Sequence, residues 1–212
     1  MGRSGAAPRA GGERGTYRKS EESRRQVLDA AIATLATRGA ANASIQDIAD
    51  AAGLSKGAVH YHFASKDELL ERVLERCCER AEARVLAAFD EPATPMERVR
   101  RALVEMWTMR RDGAPEFRVL MELQVMARNN APLGAAFAAA LGRARQQMID
   151  HGLLRLVELG LRPKIAIEAV PRLILATLDG LALHHALDPV TPEEEQELLR
   201  AIGLTASALF EL

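Results

Sequence analysis

The stretch "SIQDIADAAGLSKGAVHYHF", residues 44–63, predicts two short helices separated by a glycine. Ser44, with Asp47 three residues later, forms a capping box that predicts a helix beginning just after Ser44. Gly53 ends this helix, and Ser55 is the predicted N-cap of the next one. Two short helices joined by a tight turn that contains glycine predict a helix-turn-helix.

The second helix of this pair is predicted to carry cationic, small and aromatic residues on its outward face. Val59 and Phe63 have the spacing of inward residues. The residues left facing outward are Lys56, Gly57, Ala58, His60 and Tyr61. Such a mixture suits a DNA major groove, where donors reach base edges and small residues allow close approach. An ordinary solvated helix face carries such residues as well, so the outward set alone leaves both interpretations open.

The sequence on both sides of this stretch continues in helical patterns. Before it, apolar residues recur at helical spacing from about Ser20 until Gly39. After it, Ser65 and Glu68 form another capping box, at the start of a helix to about Phe89. Further helices are predicted from Pro95 to about Arg111, Pro115 to about Asn129, about Pro132 to Leu159, Pro163 to about Leu187, and from Pro192 onward. No alternating strand pattern interrupts them, so the sequence predicts an all-α fold.

Charge is distributed unevenly along the chain. Residues 1–66 carry ten Lys and Arg against six Asp and Glu, a net +4, and the remaining residues carry 18 against 23, a net −5. A basic first third joined to an acidic remainder suggests a module that binds a polyanion, attached to a body without that role. Residues 1–16 hold too little apolar content to fold, so they are predicted to form a disordered basic arm.

The segment from Arg24 to Leu70 resembles the DNA-binding domain of the TetR family of transcriptional regulators. The matching residues are "RRQVLDAAIATLATRG" and "SIQDIADAAGLSKGAVHYHFASKDELL". The resemblance implies an N-terminal three-helix helix-turn-helix DNA-binding domain, residues 17–66. It also implies a larger C-terminal helical ligand-binding and dimerisation domain, residues 67–212.

The resemblance further implies roles for individual residues. The outward residues Lys56, Gly57, Ala58, His60 and Tyr61 would face base edges. The implied phosphate contacts are Ser44, Ser55, Tyr61, His62 and Lys66. Additional contacts with the DNA backbone or minor groove are expected from Arg18, Lys19, Arg24 and Arg25.

The segment "IAIEAVPRLILATLDGLALHHAL", residues 165–187, is too apolar for a helix with one face in solvent. Together with the last helix, it predicts an isologous four-helix interface between two copies of the chain, the usual arrangement in similar proteins. The predicted interface residues are Ile174, Leu178, Leu181, His185, Leu199 and Ile202. The alternative is that these residues form the core of a monomer.

The helices between Pro95 and Leu159 are rich in methionine and contain several aromatic residues. Such side chains line irregular apolar cavities, and they equally form ordinary cores, so both interpretations stand. The residues predicted to line a ligand pocket are Met106, Trp107, Phe117, Met121, Glu122, Met148 and His151.

The sequence contains none of the patterns that support catalysis. It has no nucleophile–base motif, no metal-ligand spacing and no glycine-rich phosphate loop, so no catalytic residue, metal or cofactor is predicted. His60 and His62 are two residues apart and therefore lie on different sides of a helix, so they are not expected to bind a metal ion or to transfer a proton together. The two cysteines are adjacent, which predicts reduced thiols. The start of the chain has no signal-peptide core, which predicts a cytoplasmic protein.

Together with the resemblance, these observations predict a ligand-responsive DNA-binding transcriptional regulator with a small, largely apolar inducer. The resemblance alone implies that the protein is a repressor, which this inducer releases from a palindromic operator. Its expected partners are double-stranded DNA, a second copy of the chain and the inducer, with no membrane. The alternative is an all-helical small-molecule carrier or enzyme whose helix-turn-helix is only structural. The outward cationic face of the helix that begins after Ser55 favours the regulator.

Overall fold

The computed structural model describes residues 11–90 and 93–211, and over these residues the chain is mostly helical, with two very short strands. The predicted all-α fold is therefore confirmed. The helices are α1 (Gly11–Arg38), α2 (Ile45–Ala52), α3 (Lys56–His62), α4 (Lys66–Asp90), α5 (Pro95–Arg111), α6 (Pro115–Ala127), α7 (Ala131–Gln147), a π-helix (Met148–Leu153), α8 (Leu154–Glu158), α9 (Ala169–His185) and α10 (Pro192–Ala208). Two short strands, β1 (Arg162–Pro163) and β2 (Phe210–Glu211), pair antiparallel.

The chain divides into two compact units, Met1–Val73 and Leu74–Leu212. Helix α4 begins in the first unit and ends in the second. The sequence predicted a boundary after residue 66, at the start of α4. The boundary between the two units instead follows Val73, within α4 and seven residues after the predicted one.

In the first unit, α1 packs against α2 and α3 around a small apolar core. Ile48, Val59 and Phe63 are buried in it. The predicted capping box at the start of α2 is confirmed, because the Asp47 amide donates to Ser44 Oγ and the Ser44 amide donates to Asp47 Oδ2. Gly53 ends α2 with a φ of 65°, a left-handed conformation that favours glycine.

The capping box at the start of α4 differs from the prediction by one residue. Ser65 Oγ accepts from the Glu68 amide as expected, but the Glu68 carboxylate accepts from the amide of Ala64 rather than that of Ser65. Helix α1 begins at Gly11 rather than near Ser20. Adding a residue to a helix that already exists fixes only that residue, so a polar segment can extend α1 without burying a core. Residues 1–10 of the predicted arm lie outside the described residues.

The second unit packs α5 against α9 and α6 against α7. The helix predicted from Pro132 to Leu159 is divided into α7, the π-helix and α8, which follow one another directly. Helix α9 begins at Ala169, so the predicted start at Pro163 is wrong. Pro163 is instead part of β1, opposite Phe210. The residue before a proline is biased towards an extended conformation, which suits Arg162 to a strand.

Candidate nucleic-acid interface and ligand cavity

Helix α3 presents one face to solvent, and Val59 is its one buried residue. Val59 is completely buried, whereas the Tyr61 side chain is 79% exposed. Lys56, Gly57 and His60 are also exposed, and Ala58 is half-buried. Ser55 Oγ accepts from the amide of Ala58 at 3.1 Å, which holds the first turn of α3. The five predicted base-facing residues therefore lie together on one short helix, all with surface open to solvent.

Packing inside the chain does not require a glycine at position 57. A Cβ atom added to Gly57 would lie 3.8 Å from Ser55 Oγ, which is an ordinary contact. Its backbone is also not in the left-handed region, since the glycines with positive φ among the described residues are Gly39, Gly53, Gly113 and Gly160. The missing side chain at Gly57 therefore leaves free space on the outward face of α3.

The hydroxyl of Ser44 is already engaged at the start of α2. It accepts from the Asp47 amide and donates to Asp47 Oδ2 at 2.6 Å. Hydrogen bonds from Ser44, with a smaller effect of Arg38, lower the pKa of Asp47 below its ordinary value. The Arg38 guanidinium lies 2.6 Å from Asp47 Oδ1. A phosphate oxygen only accepts hydrogen bonds, so a phosphate contact at Ser44 requires its hydroxyl to turn away from Asp47 Oδ2. The contact would form beside a carboxylate that Arg38 partly neutralises.

Lys66 has a structural role that the sequence does not reveal. Its Nζ donates to the carbonyl oxygens of Ala40 and Ala43, at 3.0 and 2.7 Å, and so closes the loop between α1 and α2. An ammonium group has three N–H donors. One donor therefore remains for the predicted phosphate contact. No local pattern signals this role, because it joins residues more than twenty positions apart.

His62 lies half-buried between α3 and α1. Its Nε2 is 2.9 Å from Ser23 Oγ, a contact that the sequence did not predict. Burial lowers the pKa of His62, and the nearby Arg24 lowers it further, against a smaller opposite effect of Glu21. His62 is therefore a neutral imidazole at neutral pH, and a phosphate contact would use a ring N–H rather than a positive charge.

The basic residues of α1 differ in their surroundings. Arg24 is half-buried, with its guanidinium 5.4 Å from the centroid of the Phe63 ring. Arg18, Lys19 and Arg25 are exposed. The three exposed residues are thus open to a polyanion, whereas Arg24 also packs against the core of its unit.

The second unit contains a cavity of about 200 Å³. Of the seven residues predicted to line a pocket, five line this cavity: Met106, Phe117, Met121, Met148 and His151. Trp107 and Glu122 do not. Trp107 is buried in the core and donates from Nε1 to Glu195 Oε1 at 2.8 Å. Trp107 packs in the core cluster of the unit, and Glu122 lies outside the cavity wall although the adjacent Met121 is part of it.

An ion pair lies in the wall of this cavity. Arg110 Nε is 2.8 Å from Asp179 Oδ1, and Arg110 Nη1 donates to the Met106 carbonyl oxygen. The guanidinium also lies 5.0 Å from the centroid of the Phe117 ring. Neither charged residue was predicted from the sequence to line a pocket. The available signal was Asp179, an acidic residue within the apolar segment 165–187.

The interface residues predicted on α9 and α10 require a correction. Leu178 is completely buried in its own chain, and Ile174 and Ile202 are buried in the same core cluster. These three residues have almost no surface left to cover with a partner, so their assignment to an interface is wrong. Helix α9 is apolar on nearly every side, and its periodicity does not say which side faces the core.

The other predicted interface residues are only half-buried. Leu181 and Leu199 pack against the core cluster with part of their surface exposed. His185 Nδ1 accepts from the Val190 amide at 3.2 Å, and its ring meets Trp107 edge-on. Four large apolar side chains in this region remain exposed. They are Leu173 and Leu183 on α9, Leu187 just after α9, and Leu204 on α10.

Comparison with known proteins identifies both units. Residues 27–73 match the family described as bacterial regulatory proteins, tetR family. Residues 95–203 match the C-terminal family described as BetI-type transcriptional repressor. The chain belongs to the TetR family of transcriptional regulators. It therefore has a helix-turn-helix DNA-binding domain, of which α2 and α3 are the two short helices.

Two curated relatives and a crystal structure agree with this family. The HTH-type transcriptional regulator PksA of Bacillus subtilis is 30% identical over 83% of this chain and 84% of its own length. The HTH-type transcriptional repressor KstR2 of Mycobacterium tuberculosis is 37% identical, but over 36% of this chain and 38% of its own length. A TetR-family regulator from Rhodococcus sp. superposes with a TM-score of 0.75 at 23% identity, covering 88% of this chain and all of that one.

The described residues contain no group of three or more His, Cys, Asp or Glu side chains arranged to hold a metal ion. Cys77 and Cys78 are free thiols, and burial raises the pKa of Cys78 to about 11. Within the same residues, no helix is long and apolar enough to cross a bilayer.

Proposed function

We propose that this TetR-family chain is a repressor that binds a palindromic DNA operator as a homodimer and is released by a small, largely apolar ligand. The observation that carries the proposal is the outward face of α3, where five residues with surface open to solvent stand above one buried anchor, Val59. The proposal has three parts, which concern DNA, assembly and ligand.

The DNA part assigns base contacts to the outward face of α3. Lys56 and His60 supply donors, Tyr61 an exposed aromatic ring, and Gly57 with Ala58 the space for close approach. Phosphate contacts fall to Ser44, Ser55, Tyr61, His62 and Lys66, with exposed Arg18, Lys19 and Arg25 as further cations. Contacts with phosphate fix the position of the protein on the DNA and do not read bases.

The assembly part assigns the homodimer interface to the exposed sides of α9 and α10. Leu173, Leu183, Leu187 and Leu204 are large apolar side chains that are between 42% and 91% exposed in the single chain. Gly180 lies between them in sequence, and nothing lies within 4 Å of a Cβ added there, so another helix can approach closely. Two helices from each copy would form a four-helix interface about a twofold axis, which matches the symmetry of a palindrome.

The ligand part rests on the cavity of the second unit and on α4. Leu74, Cys78 and Glu82 of α4 line the cavity, while Lys66 in the first turn of the same helix holds the loop between α1 and α2. A ligand that fits the cavity better in one arrangement of α4 shifts the population towards that arrangement. Coupling of about 1–3 kcal/mol, roughly 5–150-fold in operator affinity, is typical of such systems.

The repressor role is supported by the names of related proteins. The second family match is described as a transcriptional repressor, and KstR2 carries the same word in its name. A protein bound to an operator blocks transcription by occupying DNA, and this requires no second protein surface. Repression is therefore the simplest outcome of DNA binding by this chain.

Selection from a random pool of DNA duplexes tests the proposal. We expect the full-length protein to enrich a palindrome whose half-sites lie about one helical turn, roughly 34 Å, apart. Mobility shifts on the enriched duplex should show a complex with two protein chains. If no sequence is enriched, the helix-turn-helix is structural and the alternative of a small-molecule carrier or enzyme is favoured.

A further inference from the structure

The cavity of the second unit is apolar over most of its wall and has a small set of charged side chains. Its wall contains three phenylalanines and four methionines: Phe89, Phe117, Phe137, Met106, Met109, Met121 and Met148. An apolar cavity of about 150 Å³ in another protein holds benzene. The volume of about 200 Å³ therefore admits a somewhat larger apolar body, such as a two-ring aromatic compound.

The charged side chains in the wall are two carboxylates and one guanidinium. They belong to Glu82, Asp179 and Arg110. The formal charge of these three side chains together is therefore −1. A buried anion next to this wall would meet a net repulsion, whereas a cation would not.

The guanidinium of Arg110 is already committed inside the chain. Its Nε donates to Asp179, its Nη1 donates to the Met106 carbonyl oxygen, and its plane packs near Phe117. The Arg110 side chain is only 10% exposed. A ligand carboxylate would have to displace Asp179 from this position or share the guanidinium with it. Sharing would bring two carboxylates together in a low-dielectric site, where like charges disfavour each other strongly.

Asp179, in contrast, retains the capacity to accept hydrogen bonds. An ionised carboxylate has two oxygens and about four acceptor sites. The hydrogen bond from Arg110 reaches Oδ1 alone, and the Asp179 side chain is 27% exposed in the cavity wall. The Arg110 contact also fixes the orientation of this carboxylate before any ligand arrives. A ligand N–H or O–H can therefore bond to Asp179 without breaking the ion pair.

We propose that the ligand is an apolar, ring-sized compound that carries a hydrogen-bond donor, preferably a cationic ammonium group, and that Asp179 recognises this donor. The inference rests on the proposed function, because it assumes that the cavity is the ligand site. It makes Asp179 the residue that determines specificity and Arg110 the residue that positions it.

Three matched probes test this inference on the wild-type protein. They are naphthylmethylammonium, naphthalenemethanol and naphthoate, substituted at the same ring position, so that they differ in charge and donor but share one apolar body. Calorimetric titration at neutral pH should give the order ammonium, alcohol, carboxylate, with at least about tenfold between the first and the last. Naphthoate binding as tightly as the ammonium compound overturns the proposal, and so does the absence of binding by all three.

A variant pair then assigns the discrimination to one carboxylate. Asp179→Asn keeps the shape of the side chain and should reduce the difference between the ammonium and carboxylate probes to about threefold or less. Asp188→Asn makes the same chemical change at an exposed position beyond α9 and should leave the wild-type order intact. Thermal unfolding of both variants shows whether Asp179→Asn still folds with Arg110 deprived of its partner. If it does not fold, the order of the probes on wild-type protein decides alone.

Operator binding, measured on the same preparation, separates this inference from the proposed function. If the protein binds a specific operator but the probes do not bind in the order ammonium, alcohol, carboxylate, only the inference about the ligand class is wrong. The expected probe order in a protein that selects no DNA sequence supports the inference and removes the repressor.

Discussion

The candidate functional side chains of the first unit point outward into solvent, whereas those of the second unit point inward into a cavity. In the first unit, the candidate base contacts lie on a helix of seven residues and point outward from one buried anchor, Val59. In the second, the cavity is lined by residues from Leu74 to Asp179, which several helices bring together and which point inward. An outward site depends on local capping, whereas an inward site depends on the packing of the whole unit. Substitutions should therefore separate binding from stability in the first unit and combine them in the second.

The largest expected effect contrasts one buried and one exposed side chain. Leu178→Ala removes a completely buried side chain from the second unit and should lower the free energy of unfolding by about 2–5 kcal/mol. Tyr61→Ala removes a larger but exposed side chain from α3 and should change it by no more than about 0.5 kcal/mol. Urea denaturation followed by circular dichroism measures both. Similar losses in the two variants would contradict the contrast.

The next effect concerns the exposed leucines of α9. Leu183→Arg places a charge on the proposed dimer interface without disturbing the protomer core, since this leucine is 60% exposed. We expect folded monomers by light scattering and operator binding weakened about 100-fold or more, because two linked half-site contacts become independent. Val125→Arg, at an exposed apolar position on α6, is the matched control and should remain dimeric. A dimeric Leu183→Arg protein would place the interface elsewhere.

A smaller effect is expected from filling the space at Gly57, which should weaken operator binding but raise the stability of the fold. Gly57→Leu fills the space on the outward face of α3 and should weaken operator binding about 10–100-fold by keeping the helix out of the groove. The same change should raise stability by up to about 1 kcal/mol, because glycine is a poor helix former. Ala33→Leu, at an exposed position of α1, controls for added bulk. Unchanged operator affinity in Gly57→Leu would show that α3 does not approach the bases closely.

The smallest effect is a pH dependence of stability that arises at His62. Its pKa in the folded chain is lowered from 6.5, so the unfolded chain binds the proton more readily. This contribution to stability is complete above the unfolded pKa and is lost as the pH falls through the folded value. His62→Gln should therefore flatten the decline of thermal stability on acidification below neutral pH. An unchanged slope would assign the decline to other groups.

The comparison of the units also explains which features the sequence predicted. Helix α2 was predictable because its signals, the Ser44–Asp47 capping box and the left-handed Gly53, lie within ten residues. The exposed side of α9 was not, because Leu178 and Leu183 are equally apolar and only the packed unit distinguishes them. The ion pair of Arg110 with Asp179 joins residues 69 positions apart, which no local pattern connects. Which side chains face the cavity also depends on the packing of several helices, and the sequence does not show this packing. Five of the predicted pocket residues therefore line the cavity, while Trp107 and Glu122, each next to a lining residue, do not.

Methylation protection of the selected operator tests the central claim most directly. The N7 atom of guanine is accessible only in the major groove, where the outward face of α3 is proposed to bind. The wild-type dimer should protect guanine N7 in two half-sites about one helical turn apart, and this protection should disappear in Gly57→Leu at concentrations that still saturate the wild type. Bound DNA whose guanines remain fully reactive, or protection in a single site only, would contradict major-groove recognition by a symmetric pair of α3 helices.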